Sequence, residues 1–351
     1  MRNYFFKDWD SLLTRDTVAQ LTKIHEYKGE QTLFIEANPD ILSELVEVAK
    51  IQSTEASNSI EGIRTSNERL KKLLQTKTNP KSRDEEEIAG YRDVLNTIHD
   101  SYEYIPIKSS MILQLHRDLY KFSGGYEGGS YKSSDNIIKE TDEEGNEYVR
   151  FQPVSAWETN DAMNMLCEAY EKAINEKLAD PLIIMAVFIL DFLCIHPFDD
   201  GNGRMSRLLT LLILYRTGYI VGKYVSIEKI IDNTKETYYE VLQQSSLNWH
   251  EEKNDYMPFL QYMLGVILSA YKNFSERVEV ISAKDLSKPD KIREVIKKNI
   301  NPISKAEIIK YCPDISKTTI ERTLSGLQKS NEIIKISGGR YTKYIWNREG
   351  E

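Results

Sequence analysis

Twelve residues, HPFDDGNGRMSR from His196 to Arg207, set one histidine, two aspartates, Gly-Asn-Gly and two arginines between two apolar runs. A core has no use for that polarity, and a loop made only for solvent has no use for that order. Glycines at 201 and 203 let backbone N–H groups come close to a ligand, and a helix starting there adds unpaired donors and a positive dipole end. The combination reads as an anion cradle. Arg204 and Arg207, three apart, fall on one face of that helix and aim at a phosphate chain. Asp200 at the rim would repel a bare phosphate but would accept a Mg²⁺ bridging two of them. His196 is the one group here able to take a proton near neutral pH. Together the parts describe a site for a Mg-nucleotide with a general base beside it.

Such a site needs a buried helix ending near His196, a tight turn over Pro197 to Asn202, and a second buried helix from Gly203 to about Gly218. The run PLIIMAVFILDFLCI from Pro181 is too hydrophobic all round for a surface helix and suits the first. Upstream, NPDILSELVEVAKIQSTEASNSIEG spaces its apolar residues as a helix does and stops at Gly62. SRDEEEIAGYRDVLNTIHDSYEYI and KSSMILQLHRDLYKFS read as two more amphipathic helices. Between Tyr131 and Val154, Glu144-Gly145-Asn146 separates two short strand-like runs, a hairpin signal. SAWETNDAMNMLCEAYEKAIN resumes the helices, with Ser155 and Glu158 spaced as a capping box. Further helices are expected over about Ile227–Asn248 and Tyr256–Ile281.

Residues from about 288 differ. KPDKIREVIKKNI, SKAEIIKYC and SKTTIERTLSGLQKSN read as three short helices, the last two opened by serine caps. EIIKISGGRYTKYIWN follows as a hairpin turning at Gly338-Gly339. Three helices and a two-stranded wing make a winged helix-turn-helix. Charge agrees with a separate module: fourteen Lys/Arg against nine Asp/Glu leave +5 from Asp285 onward, so a whole-chain −8 puts −13 on residues 1–284. The expected fold is therefore mainly α, a helical body with a β-hairpin flap plus a small C-terminal winged helix-turn-helix domain.

The 351 residues suffice for two or three domains. The longest apolar run is interrupted by Asp191 and falls short of the ~20 residues of a spanning helix, so no membrane is expected. The opening MRNYFFKDWD does not read as a targeting leader. Cys167, Cys194 and Cys312 are scattered and odd in number, pointing to neither a disulfide framework nor a zinc site and to a reducing cytoplasm. His25, His99, His116 and His250 lack metal-like spacing and read as structural.

The segment 196–207 resembles the Fic motif, HPFx(D/E)GNGRxxR, at every fixed position, with Asp199 as the variable residue. The resemblance extends over roughly Asn38 to Ile281, including the helices on either side and the upstream flap. It implies an N-terminal helical extension (1–105) and a Fic catalytic core (106–284), with the winged helix domain read above following them (285–351). It further implies transfer of AMP from ATP to a Ser, Thr or Tyr hydroxyl of a protein target, and of the enzyme itself, with release of pyrophosphate. His196 would deprotonate the hydroxyl and Asp200 would hold Mg²⁺ on the phosphates. Gly201, Asn202 and Gly203 would form the anion hole, and Arg204 and Arg207 would contact phosphates. The flap would pin the target as an added strand. Tyr238 and Tyr239, in KETYYEVL, fall where related domains meet adenine, though core packing explains them equally well. One departure is Lys132, which follows GGSY where relatives often carry arginine.

SNSIEG, from Ser57 to Gly62, resembles the [ST]xxxE[GN] inhibitory helix of regulated members. Its place before the core implies that Glu61 pairs with Arg207, the arginine meant for the γ-phosphate. In some relatives the matching glutamate positions a water for AMP removal, and the sequence leaves brake and hydrolytic role open. A different donor nucleotide keeps the fold and changes the transferred group, while the intact GNGRxxR argues against phosphate transfer. A reading of another class makes the chain a DNA-binding regulator whose Fic core only binds nucleotide. Its helix SKTTIERTLSGLQK would lie in a major groove through Lys317, Arg322 and Lys329, with DNA and protein contact equally open. The resemblance also admits a homodimer that buries the inhibitory helix.

Overall fold

Helices make up most of the chain. The computed structural model describes residues 2–37, 39–74, 78–124, 128–141, 147–282, 287–299, 302–336 and 342–347. In chain order the elements are α1 (Arg15–Ala37), α2 (Pro39–Ile60), α3 (Asn67–Leu74), α4 (Arg83–Ser101), α5 (Ser109–Leu119), β1 (Ile138–Thr141), β2 (Glu147–Phe151), α6 (Ala156–Asn175), α7 (Pro181–Ile195) and α8 (Asn202–Arg216). There follow α9 (Ile227–Asn233), α10 (Lys235–Ser246), α11 (Met257–Ser282), α12 (Lys288–Lys298), β3 (Ile303–Ser304), α13 (Lys305–Tyr311), α14 (Lys317–Lys329), β4 (Ile333–Ile336) and β5 (Lys343–Trp346). Two units divide the chain: Met1–Lys28 with Val48–Ala270, and Gly29–Glu47 with Tyr271–Glu351.

In the first unit α7 is the central element. Asp180 starts it, its carboxylate accepting the Leu182 N–H at 2.9 Å, and Pro181 fits the first turn, where no N–H is needed. Every residue from Leu182 to Ile195 is buried, and α6 and α8 pack against the helix. Each large side chain so enclosed contributes about 1.5–3 kcal/mol. The helix ends because His196 turns left-handed (φ 49°, ψ 62°), and Gly201 (φ 84°) reverses the chain again into α8. The second reversal lies in the region that glycine alone enters freely.

The flap is the antiparallel pair β1–β2, in which Ile138 faces Phe151 but Lys139 faces Val149, so Arg150 has no opposite number. Its expected turn at Glu144-Gly145-Asn146 lies outside the described residues. In the second unit α12, α13 and α14 enclose a core with Ile292, Ile296, Ile308, Ile320, Leu324 and Trp346. A three-stranded antiparallel sheet of order β3-β5-β4 completes it, with the expected turn at Gly338-Gly339 outside the described residues. Strand β3, two residues long, carries no sequence signal of its own.

Some local expectations change. Ser155 does not make a capping box: its hydroxyl donates directly to the Glu158 carboxylate at 2.7 Å, and Asp135 takes the Ala156 N–H instead. A full capping box forms at Ser304 and Glu307. The helix expected over Ile227–Asn248 breaks at Thr234, whose hydroxyl bonds back to the Ile230 carbonyl at 2.9 Å. Helices α1 and α3 had no separate expectation. Cys167, Cys194 and Cys312 are buried and unpaired. Among the described residues no helix is long and apolar enough to cross a membrane.

Candidate active site

A cavity of about 410 Å³ opens in the first unit, within the usual range for small-molecule sites. His196, Gly203 and Arg207 line it from the loop and α8, Tyr238, Tyr239 and Leu242 from α10, Lys139 and Arg150 from the hairpin, and Glu61 from the end of α2. Residues far apart in the sequence thus share one wall.

The end of α2 is shaped to deliver Glu61. The Asn58 carbonyl accepts the N–H groups of Glu61 and Ile63, at 3.1 and 3.0 Å. Gly62 is left-handed (φ 81°), the usual glycine stop of a helix. Glu61 Oε1 accepts from Arg207 Nη2 at 2.8 Å. Ser57 completes the grip: its hydroxyl accepts from Arg207 Nε at 2.8 Å and its carbonyl from Nη2 at 2.9 Å. Burial disfavours the charge on Arg207, but Glu61 and the oxygens of Tyr238 and Tyr91 hold its pKa above the usual value. Arg207 Nη1 has no hydrogen-bond partner.

His196 sits half-buried in the cavity wall. Burial, with a smaller push from the Lys132 cation, brings its pKa down to about 4. The ring is therefore neutral at pH 7 and open to a proton. Lys132, itself buried, pins the backbone before it by donating to the Ile195 carbonyl at 3.1 Å and to Asn136 Oδ1 at 2.8 Å. Asn136 in turn donates to the carbonyls of His196 and Phe198. Lys132, noted in the sequence only as a departure, is thus a fixed part of the site's floor.

The other motif residues divide. Asn202 spends its side chain on closing the loop, accepting the Phe198 N–H at 2.9 Å and donating to the Phe198 carbonyl at 2.7 Å. Arg204 does not join Arg207: it is buried away from the cavity lining, 2.8 Å from Glu87 and donating to the Tyr120 hydroxyl at 2.6 Å. Three residues after Gly201 the helix has turned it toward α4 and α5. Asp200, half-exposed, accepts the Gly201 N–H at 2.7 Å and lies 3.2 Å from Arg83.

His116 lies beneath the loop, its ring stacked on Phe198 with centroids 3.7 Å apart and planes 9° from parallel. Its Nδ1 accepts the Gly129 N–H at 3.0 Å, so Nε2 carries the proton and donates to the Asp200 carbonyl at 3.1 Å. His116, Tyr120, Glu87, Arg83 and Arg150 were not assigned to the site from the sequence, since nothing in their spacing links them to residues 196–207. Among the described residues no three His, Cys, Asp or Glu side chains group as a metal site.

The sequence pattern of the Fic/DOC family matches residues 106–214. Among curated proteins the chain is similar to the protein adenylyltransferase Fic of Aedes aegypti, 28% identical over 225 residues that cover 61% of this chain and 40% of that protein. It is also similar to the protein adenylyltransferase Fic of Nematostella vectensis, 24% identical over 252 residues, covering 69% and 52%. The chain thus spans about half the length of these relatives or less. Among solved structures, a Fic family protein from Desulfovibrio desulfuricans G20 superposes with a TM-score of 0.61 at 22% identity, covering 97% of this chain and 98% of that one. A Fic domain containing signaling protein from Bacteroides thetaiotaomicron VPI-5482 gives 0.61 at 23%, covering 71% and 94%. Likeness at these identities establishes the shared fold, helical with a small hairpin.

Proposed function

Because this chain carries a Fic/DOC-family domain over residues 106–214, we propose that it transfers AMP from ATP to a Ser, Thr or Tyr hydroxyl of protein targets and of itself, and that Glu61 restrains the reaction. In this reading neutral His196 takes the proton of the attacking hydroxyl. The hydroxyl oxygen bonds to the α-phosphorus, the bond to the β-phosphate bridging oxygen breaks, and pyrophosphate leaves with its electron pair. Gly203 and the first-turn N–H groups of α8 receive the phosphate oxygens. Arg207 neutralises the chain's far end, and Tyr238 and Tyr239 flank the base. The orphaned Arg207 Nη1 suits such a ligand. Mg²⁺ would arrive with ATP and take the single half-exposed carboxylate of Asp200, the sparse protein ligation typical of magnesium on a nucleotide. Arg204, held by Glu87 and Tyr120, fixes the start of α8.

The observation that carries this reading is the 2.8 Å pair between Glu61 and Arg207 inside a cavity that also holds His196. Its test is incubation with α-³²P-ATP and Mg²⁺, comparing wild type, Glu61→Gly, and Glu61→Gly with His196→Ala. Label strong in Glu61→Gly, weak in wild type and absent in the double variant is expected. Equal label in the first two removes the brake, and no label in any removes AMP transfer.

A second function for the C-terminal segment draws on one contact. Lys305 pairs with Glu321 at 2.7 Å, neutralising the carboxylate on the exposed face of α14 and leaving Lys317, Arg322 and Lys329 to set its charge. That face suits a DNA backbone in the manner of a winged helix. Titrating duplex DNA into the full chain across salt concentrations tests it: binding indifferent to salt and to Lys317→Ala with Arg322→Ala removes the reading. We read the chain as extension, catalytic core and winged helix divided near 105 and 284, and its buried, unpaired thiols as suited to a reducing cytoplasm.

A further inference from the structure

We infer that Arg150, aimed into the cavity by a bulge in the flap, is a phosphate-binding residue for the incoming nucleotide. The inference rests on the nucleotide reading above and adds a residue that neither the loop motif nor the α2 segment contains.

In a regular strand neighbouring side chains point to opposite faces. Phe151 turns to the helical body, its ring stacked on His250 at 5.6 Å and edge-on to Trp249. Arg150 should then point away. It does not: it lines the cavity together with His196, its guanidinium carbon 5.8 Å from the centre of the Tyr239 ring. Two consecutive side chains reach the same body because the register slips between Ile138 and Lys139, which leaves Arg150 as the extra residue of the pair. Such bulges bend a strand locally and re-aim a side chain. Val149 and Tyr148 meanwhile face solvent.

The charge around it fits one class of ligand. The lining holds Lys139, Arg150 and Arg207 against the single carboxylate of Glu61. Arg207 is gripped by Ser57 and Glu61, and Arg204 is turned to Glu87 and Tyr120. The Arg150 guanidinium rests instead near the Tyr239 ring, a cation–π partner that leaves its charge unneutralised. A forked, always-charged donor held in that way matches phosphate oxygens better than an uncharged group or a base edge.

The test is calorimetric titration of the full-length chain with MgATP and, separately, with adenosine. Glu61→Gly serves as the parent, beside the same chain carrying Arg150→Ala or Arg150→Lys. Removing the charge should weaken ATP roughly tenfold to a hundredfold, the size of one charge-assisted hydrogen bond, and leave adenosine unchanged. Lysine should restore part of the ATP affinity, since it keeps the charge and loses the fork. Unchanged adenosine binding also shows that the alanine variant is folded. Equal loss for both ligands would overturn the inference by making Arg150 part of the wall or the base site. An ATP affinity untouched by either substitution would overturn it as well. A parent that binds neither ligand would instead sink the nucleotide reading itself, and the inference with it.

Discussion

A β-carbon added to Gly203 would come within 2.2 Å of Glu61 Oε1. The carboxylate therefore lies in the hollow at the start of α8, where the helix dipole and unpaired N–H groups draw an anion. In the proposed function Glu61 would compete with phosphate for the cradle itself as well as for Arg207. Replacing Glu61 by glycine should tighten ATP by about tenfold or more, matching a charge-assisted contact of about 1.5–3 kcal/mol. ATP titration of the two proteins checks it.

Gly203→Ala separates the two roles of that hollow. The atom it meets is the far end of a flexible glutamate, so the fold should survive, with a melting temperature within a few degrees of wild type. The methyl group nevertheless fills the cradle. ATP affinity should fall whether or not Glu61 is also removed. An alanine variant that binds ATP as well as its parent would place the nucleotide elsewhere.

The helix that leads to Glu61 is held from behind. Glu228, buried, accepts from the Ser53 hydroxyl at 2.6 Å, from Ser226 at 3.3 Å and from Tyr91 at 3.1 Å. Ser53 lies on α2, two turns before Glu61, so this carboxylate ties α2 to α9 and α4. Ser53→Ala should cost about 1 kcal/mol and raise self-labelling part of the way toward Glu61→Gly. Radiolabel and melting temperature, measured together, distinguish a loosened brake from general destabilisation.

Much of this architecture was legible because it is local. The largely apolar run before His196, the glycines at 201 and 203 and the serine caps at 304 and 316 each act through neighbours a few residues away. The pairing of Glu61 with Arg207 lies 146 residues apart, and only the family resemblance suggested it. Arg204 defeated the spacing argument: three residues put two side chains on one face, but Glu87 on α4 and Tyr120 just past the end of α5 decide where it points. His116 and Arg150 were invisible for the same reason. One acts through a stack on Phe198, the other through a bulge, and neither has a one-dimensional signature.

Lys132 should be sensitive to loss of its charge. Burial lowers its pKa to about 8, yet its ammonium satisfies the Ile195 carbonyl and Asn136. Lys132→Met strands both acceptors beside His196. A loss of about 1–3 kcal/mol in unfolding free energy is expected, with a fall in turnover larger than the fall in ATP affinity, because the base shifts while the cradle stays. Lys132→Arg should keep most of both. Denaturant titration and a KM-against-kcat comparison read the two effects.

The stack of His116 on Phe198 makes the loop's stability depend on pH. Burial brings the His116 pKa down from 6.5 to about 4, and that of His99 to about 3. Both sit neutral in the fold and take a proton more readily once unfolded. The unfolded chain therefore binds more protons below pH 6.5, so stability is fully present above that value and drains away as pH falls toward 4. For His116, fully buried, the loss approaches about 3 kcal/mol across the window. Protonation at Nδ1 would also break the hydrogen bond from Gly129. Melting temperatures between pH 7 and pH 5 should fall for wild type and fall less for His116→Gln, which starts lower because it forfeits the stack. Parallel slopes for the two proteins would remove His116 as the group responsible.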